Sequence, residues 1–141
     1  MTLEALDHLT LPVADLDQAE AFYVTLLGAR LIRRIGVTPE RHTALQLGDG
    51  PELHLFESPG LKRQPPRPHP HIAFRVDHDH LDAFRARLLE AGVKLDGPRR
   101  LGGPGHASVY FTDSWGQLLE LTALHYRGPV SFGPPDMAKL A

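Results

Sequence analysis

An internal repeat constrains this chain of 141 residues more than any other feature. At a spacing of 63, His8 falls on His71 and Val13 on Val76; at 64, Gly28 falls on Gly92 and Leu31 on Leu95. At 66, Leu45 falls on Phe111, Gly50 on Gly116, Leu53 on Leu119 and Leu55 on Leu121, without a gap. A short chain that repeats itself in this way is expected to fold as two copies of one small unit around a common core.

The periodicity inside each copy sets the order of its elements. In the first, 7–13 alternates apolar and other residues as a half-buried strand does. Asp15 or Asp17 then caps a helix in which Leu16, Ala19, Phe22, Tyr23, Leu26 and Leu27 recur at three- and four-residue spacing, and Gly28 ends it. Strand-like runs follow at 29–35, 42–47 and 52–56, the last two joined through Gly48, Asp49, Gly50 and Pro51. The second copy begins with a strand at 71–76. A helix face of Leu81, Phe84, Leu88 and Ala91 follows and stops at Gly92, and strands come at 93–95, 107–112 and 117–122, with a turn from Asp113 to Gly116. The expected fold is α+β: two βαβββ modules, at about 4–57 and about 71–124, whose mixed sheet curves into a cup with the helices outside. A proline-rich linker at about 58–70 joins them within one domain. The tail, 125–141, lies outside the repeat and is turn-rich with a short helix over 136–141; it is expected either to wrap the body or a partner subunit or to be a frayed terminus.

Composition narrows the chemistry. The absence of cysteine removes disulfides, thiolate metal sites and cysteine nucleophiles. A formal net charge of −2 gives no basic footprint for nucleic acid. No apolar run approaches the roughly 20 residues of a membrane span, and the N-terminus lacks the pattern of a signal peptide, so a cytoplasmic protein is expected. Histidine is abundant, at nine residues, which makes position decisive.

Side chains alternate across a strand, so each strand sorts into two faces. With Leu9, Leu11 and Val13 against the helix, His8 and Thr10 face away; with Leu53 and Leu55 in the core, Glu52, His54 and Phe56 face away. In the second copy Ile72, Phe74 and Val76 are inward and His71, Ala73 and Arg75 opposite. Leu119 and Leu121 are inward and Leu118, Glu120 and Thr122 opposite. His8 is thus equivalent to His71, and His54 to Glu120, all on the face away from the helices. If the strands form one curved surface, three imidazoles and a carboxylate converge as a divalent-metal site. The nitrogen and oxygen donors favour Fe, Mn, Ni, Co or Zn over copper(I) or clusters. The other histidines lack repeat support: His78 and His80 belong to a helix start, and His42, His106 and His125 to solvent or a pocket rim.

The stretch from His8 through Pro12, Val13 and Asp15 to Phe22, Tyr23 and Leu26-Leu27-Gly28 resembles the opening of the vicinal oxygen chelate superfamily. So do His71 to Val76, Ser108 to Asp113 and Leu119-Glu120-Leu121 in the second copy. The resemblance covers about 4–124. It implies paired modules cupped around a divalent metal, held here by His8, His54, His71 and Glu120, usually in a homodimer. It also implies a small-molecule substrate that chelates the metal through vicinal oxygens. His8, His71 and Glu120 match the two-histidine, one-glutamate iron set of ring-cleaving dioxygenases, and the reading leans to an extradiol-dioxygenase-like or lyase/isomerase enzyme. His54 serves as fourth ligand or general base, and Tyr110 as a hydrogen-bond donor to substrate. Arg75 pairs with an acidic substrate group, and Phe56 lines the cup. Thr10 and Ser108 carry the similarity to fosfomycin-resistance enzymes, and Trp115 either closes a pocket or packs ordinarily. The alternatives are a fosfomycin-type thiol transferase and a drug-sequestering module of the bleomycin-binding kind.

Overall fold

Two strands at opposite ends of a βαβββ copy pair in parallel only across a long connection, and both copies meet that condition. The computed structural model describes residues 1–37 and 41–141, and the chain divides into two compact units, Met1–Lys62 and Arg63–Ala141. Unit one contains β1 (His8–Val13), α1 (Leu16–Glu20), a π-helical segment (Ala21–Leu26), β2 (Arg30–Ile35), β3 (His42–Gln46) and β4 (Glu52–Glu57). Its sheet runs β1-β4-β3-β2, with β1 parallel to β4 and the other pairs antiparallel. Unit two contains β5 (Ile72–Arg75), α2 (Leu81–Glu90), β6 (Leu95–Arg100), β7 (Ala107–Thr112), β8 (Leu118–Ala123), β9 (Ser131–Phe132) and α3 (Met137–Leu140). Its sheet runs β5-β8-β7-β6-β9, with β5 parallel to β8.

The repeat is present in the strand registers. Thr10 pairs with His54 as Ala73 pairs with Glu120, and Leu45 pairs with Leu53 as Phe111 pairs with Leu119. Each unit buries its own inward face. Leu45, Leu53 and Leu55 lie with Val13, Leu16, Ala19 and Tyr23, and α1 packs on β3 and β4. Phe111, Leu119 and Leu121 are buried in the sheet of unit two, where α2 contributes Leu81 and Leu88 and packs on β8. Each fully buried leucine of this kind contributes about 1.5–3 kcal/mol of transfer free energy.

Three elements differ from the expectation. The first helix starts as predicted, with Asp15 accepting from the Gln18 amide at 2.9 Å, but only its first turn is α-helical. From Ala21 it widens to i→i+5 bonding, seen in the Leu27 amide bound to the Phe22 carbonyl at 3.1 Å. Next, β6 continues to Arg100 instead of ending at Leu95. Its register slips between Asp96 and Arg99, and the irregularity takes in Gly97 at φ +132° and Pro98, which has no N–H for a ladder bond. Finally, the tail adds a strand: β9 pairs in parallel with β6, and α3 inserts Leu140 against Tyr110 and Leu118.

The proline-rich stretch is held at both ends. The Ser58 amide bonds the Val13 carbonyl at 2.7 Å within unit one. Within unit two, Arg63 donates to the Asp113 carbonyl, the Thr112 hydroxyl and the Leu140 carbonyl, each at 2.9 Å, and the Gln64 amide bonds the Trp115 carbonyl. Gly116, in the turn between β7 and β8, has φ +93°, and a Cβ there would run into the Gln64 carbonyl. Gly116→Ala is expected to lower the melting temperature through a loss of about 1–3 kcal/mol, measured by calorimetry; an unchanged melting curve would contradict this packing.

Asp96 anchors the tail. Burial pushes its carboxyl up, but the Asp136 amide, the Arg99 guanidinium and Lys139 outweigh burial and hold it below the ordinary 3.8. A depressed carboxyl contributes stability that is complete above its unfolded value and lost as pH falls through the folded one. The acid limb of the unfolding curve should therefore steepen below pH 3.8, and Asp96→Asn should flatten it. An identical acid limb in the variant would remove Asp96 from this role.

Candidate metal centre

The register decides which polar side chains stand together on the face opposite each core. In unit one these are His8, Thr10, His54 and Phe56, with Thr10 directly beside His54. The His8 and His54 rings stack, with centroids 4.5 Å apart and planes 11° from parallel. His8 Nδ1 lies 2.7 Å from Asp7 Oδ2 and His54 Nε2 lies 3.2 Å from Glu52 Oε2. Carboxylate oxygens accept, so these nitrogens donate, leaving Nε2 of His8 and Nδ1 of His54 with lone pairs in their ring planes. A metal ion lies in the plane of the imidazole that binds it, and two nearly parallel, stacked planes do not meet within ligand distance. Stacked in this way, the two rings do not direct their in-plane lone pairs to one point. The His54 N–H and Arg33 also hold the Glu52 carboxyl below its usual range.

Unit two places its equivalent pair differently. His71 Nε2 lies 3.1 Å from Glu120 Oε2. His71 Nδ1 is 2.9 Å from the Pro68 carbonyl, which can only accept, so Nδ1 carries a proton. The other carboxylate oxygen, Oε1 of Glu120, accepts from the Ser108 hydroxyl at 2.5 Å. In neutral His71, two lone pairs then face each other across 3.1 Å, an arrangement that calls for a proton or a metal cation between them. Glu120 is 7% exposed, so water does little to relieve the conflict. This donor set, an imidazole fixed in one tautomer beside a buried carboxylate, fits a divalent first-row metal.

Tyr110 pairs with Glu120 across β7 and β8 and is buried. Burial and the neighbouring Glu120 charge push its phenol up, so it remains a neutral donor through the physiological range. Arg75 is exposed at the end of β5, opposite Thr122. Trp115 is buried in the β7–β8 turn, its amide on Asp113 and its carbonyl on Gln64. His42, assigned above to solvent or a rim, stacks on Phe56 at 4.5 Å and lies 5.9 Å from His54, so that His8, His54, His42 and Phe56 form one aromatic row. Its register opposite Phe56 was the available signal, since cross-strand partners share a face. His78 stands between Asp77 and Asp79 in an exposed loop before α2, and among the described residues these three form the only group of three or more such side chains with mutually close ligand atoms.

A family model described as the Glyoxalase/Bleomycin resistance protein/Dioxygenase superfamily matches residues 5–121. The chain is 34% identical over 121 residues to a metallothiol transferase, FosB, from Shouchella clausii, covering 84% of this chain and 80% of that one. It is 33% identical to a 2-epi-5-epi-valiolone epimerase from an Actinomyces species, over 89% of this chain and 82% of that protein. Among solved structures, the fosfomycin resistance protein FosX from Listeria monocytogenes superposes with a TM-score of 0.73 at 26% identity, covering 86% of this chain and 93% of that one. That structure is a variant complexed with Mn(II) and 1S,2S-dihydroxypropylphosphonic acid. Among the described residues no helix is long and apolar enough to cross a membrane.

The His71–Glu120 conflict has a measurable consequence. Glu120→Gln supplies an amide N–H to His71 Nε2 and keeps a carbonyl for Ser108, so in chelator the variant should melt no lower than wild type, and about 1 kcal/mol higher if the lone pairs repel. A clear loss of stability would show that the carboxylate is satisfied without a cation.

Proposed function

Because the chain belongs to the Glyoxalase/Bleomycin resistance protein/Dioxygenase superfamily, we propose that it is a divalent-metal enzyme that opens a small epoxide-bearing phosphonate of the fosfomycin type. The relatives and the solved neighbour favour this reading over the ring-cleaving dioxygenase to which the sequence leaned. The observation that carries it is the lone-pair conflict between His71 Nε2 and Glu120 Oε2, which a cation resolves. His71 and Glu120 are the proposed ligands in unit two, and His8 is the proposed ligand in unit one. Mn, Fe, Co, Ni and Zn all suit this set. A bound divalent metal supplies Lewis-acid polarisation of substrate oxygens. The chain's own groups supply the rest: Tyr110 donates a hydrogen bond to a substrate oxygen, Thr10 offers a hydroxyl beside His54, and Arg75 attracts the acidic group. The Ser108 hydroxyl, bound to Glu120, holds the carboxylate rather than the substrate.

The test is phosphorus NMR of fosfomycin incubated with Mn(II)-loaded protein, with glutathione, with cysteine and with no thiol. A new phosphonate resonance that requires thiol indicates transfer, and one that forms without thiol indicates hydrolysis. Glu120→Gln should lose at least about 100-fold in rate, as expected when a metal ligand is removed. No product in any arm, from protein that binds one equivalent of metal, would overturn the substrate assignment. The epimerase relative favours a second reading, proton exchange on a polyhydroxylated ring ketone. Uptake of solvent deuterium into such a ketone, with fosfomycin untouched, would select it.

A further inference from the structure

Behind Glu120, away from His71, a line of hydrogen bonds runs through the sheet of unit two to a histidine that the reading above does not use. Ser108 Oγ lies 2.5 Å from Glu120 Oε1 and 3.3 Å from Thr122 Oγ1, and Thr122 Oγ1 lies 2.8 Å from His106 Nε2. Three gaps separate the carboxylate from the imidazole; the buried Tyr110 phenol, which also bonds Ser108 and Glu120, brings its own proton, so the protons in the line itself can be counted. An ionised carboxylate only accepts, so the one Ser108 proton goes to Glu120. If the longer Ser108–Thr122 gap is filled, it holds the Thr122 proton, and the Thr122–His106 gap then holds a proton on His106 Nε2. Only the Nε2–H tautomer of His106 fills all three gaps while Glu120 is charged.

The far side of the ring agrees. His106 Nδ1 is buried and, among the described residues, has no hydrogen-bond partner; a Cβ on Gly102 would stand 3.2 Å from it. The opposite polarity of the chain would place an N–H at that position with nothing to accept it, the more costly kind of orphan. The main chain of His106 is held in place independently of the line. Its own carbonyl accepts from Arg100 Nε at 2.8 Å, its amide bonds the Gly103 carbonyl, and the Tyr126 amide bonds the adjacent Gly105 carbonyl.

We propose that His106 is a positioning residue for Glu120, acting through Thr122 and Ser108 to keep the carboxylate turned toward His71. The three hydroxyl and imidazole groups make one polarised chain: loss of the His106 N–H lets Thr122 accept from Ser108 and draw its proton off Oε1, and loss of the Thr122 hydroxyl removes the donor that polarises Ser108. The consequence for metal binding rests on the reading of Glu120 as a ligand, whereas the tautomer does not.

The experiment uses the full chain, labelled with nitrogen-15 at histidine and free of metal, together with Mn(II) titration followed by electron paramagnetic resonance. The His106 nitrogens should show the Nε2–H pattern, and Thr122→Val, which keeps the side-chain shape but removes the hydroxyl, should alter it. Mn(II) affinity should fall about 10-fold in His106→Ala and Thr122→Val, within the range seen when outer hydrogen-bond partners of a ligand are lost. His106→Gln, whose amide can still donate to Thr122, should recover most of that loss. Melting temperatures confirm that each variant is folded. An Nδ1–H tautomer in wild type overturns the proposal, as does wild-type Mn(II) affinity in both His106→Ala and Thr122→Val. Failure of wild type to bind Mn(II) would sink the ligand reading of Glu120 alone, and the tautomer would still decide the chain.

Discussion

Parallel pairing of the first and last strands in each unit is the constraint on which the rest depends. It sets residues more than 40 positions apart side by side, β1 against β4 and β5 against β8. Hydrophobic burial then fixes the register, because a slip of one residue would turn Leu53 and Leu55, or Leu119 and Leu121, out of the core. With the leucines fixed, the intervening residues have no choice of face. His54 and Glu120 stand at equivalent places for this reason, and so do their neighbours His8 and His71. The chemistry is thus a by-product of packing in its placement, though not in its orientation.

Orientation is where the two units part. Both have an imidazole at the entry to the first strand, His8 opening β1 and His71 just before β5, but the partner on the last is an imidazole in one and a carboxylate in the other. Two rings on adjacent strands gain most by stacking, and His8 and His54 do so. A ring and a carboxylate gain most through nitrogen and oxygen, and His71 turns its edge to Glu120. One substitution between otherwise matching positions changes a face-to-face contact into an edge-on one. The carboxylate is in turn held from behind by a hydroxyl, which leaves one of its oxygens for the front.

The sequence made much of this legible, and the physical reason is alternation. Strand faces, the repeat and the four equivalent positions follow from spacing alone, and β7 was located to the residue. Ring planes and donor directions do not follow from spacing. The stacking of His8 on His54, the Pro68 carbonyl that fixes the His71 tautomer and the row reaching His42 arise from side-chain rotation, which spacing does not encode. The spacing places a strand only at 93–95, whereas β6 runs on to Arg100 because a local slip in register absorbs Gly97 and Pro98. β9 was missed because two residues carry no period, and its pairing depends on the exposed edge of β6.

The behaviour of Arg63 has a practical corollary for anyone dividing the molecule. Composition alone would place the second fragment's start near 71, after the last proline, and would discard the preceding residues as tether. Yet the Arg63 guanidinium satisfies two main-chain carbonyls and a hydroxyl at the β7–β8 turn and the end of α3, and Gln64 lies across Gly116. A fragment beginning at 71 would leave those acceptors bare and open the floor beneath the turn. The cut belongs between Lys62 and Arg63, so that the connector's prolines travel as a structural belt of the second unit.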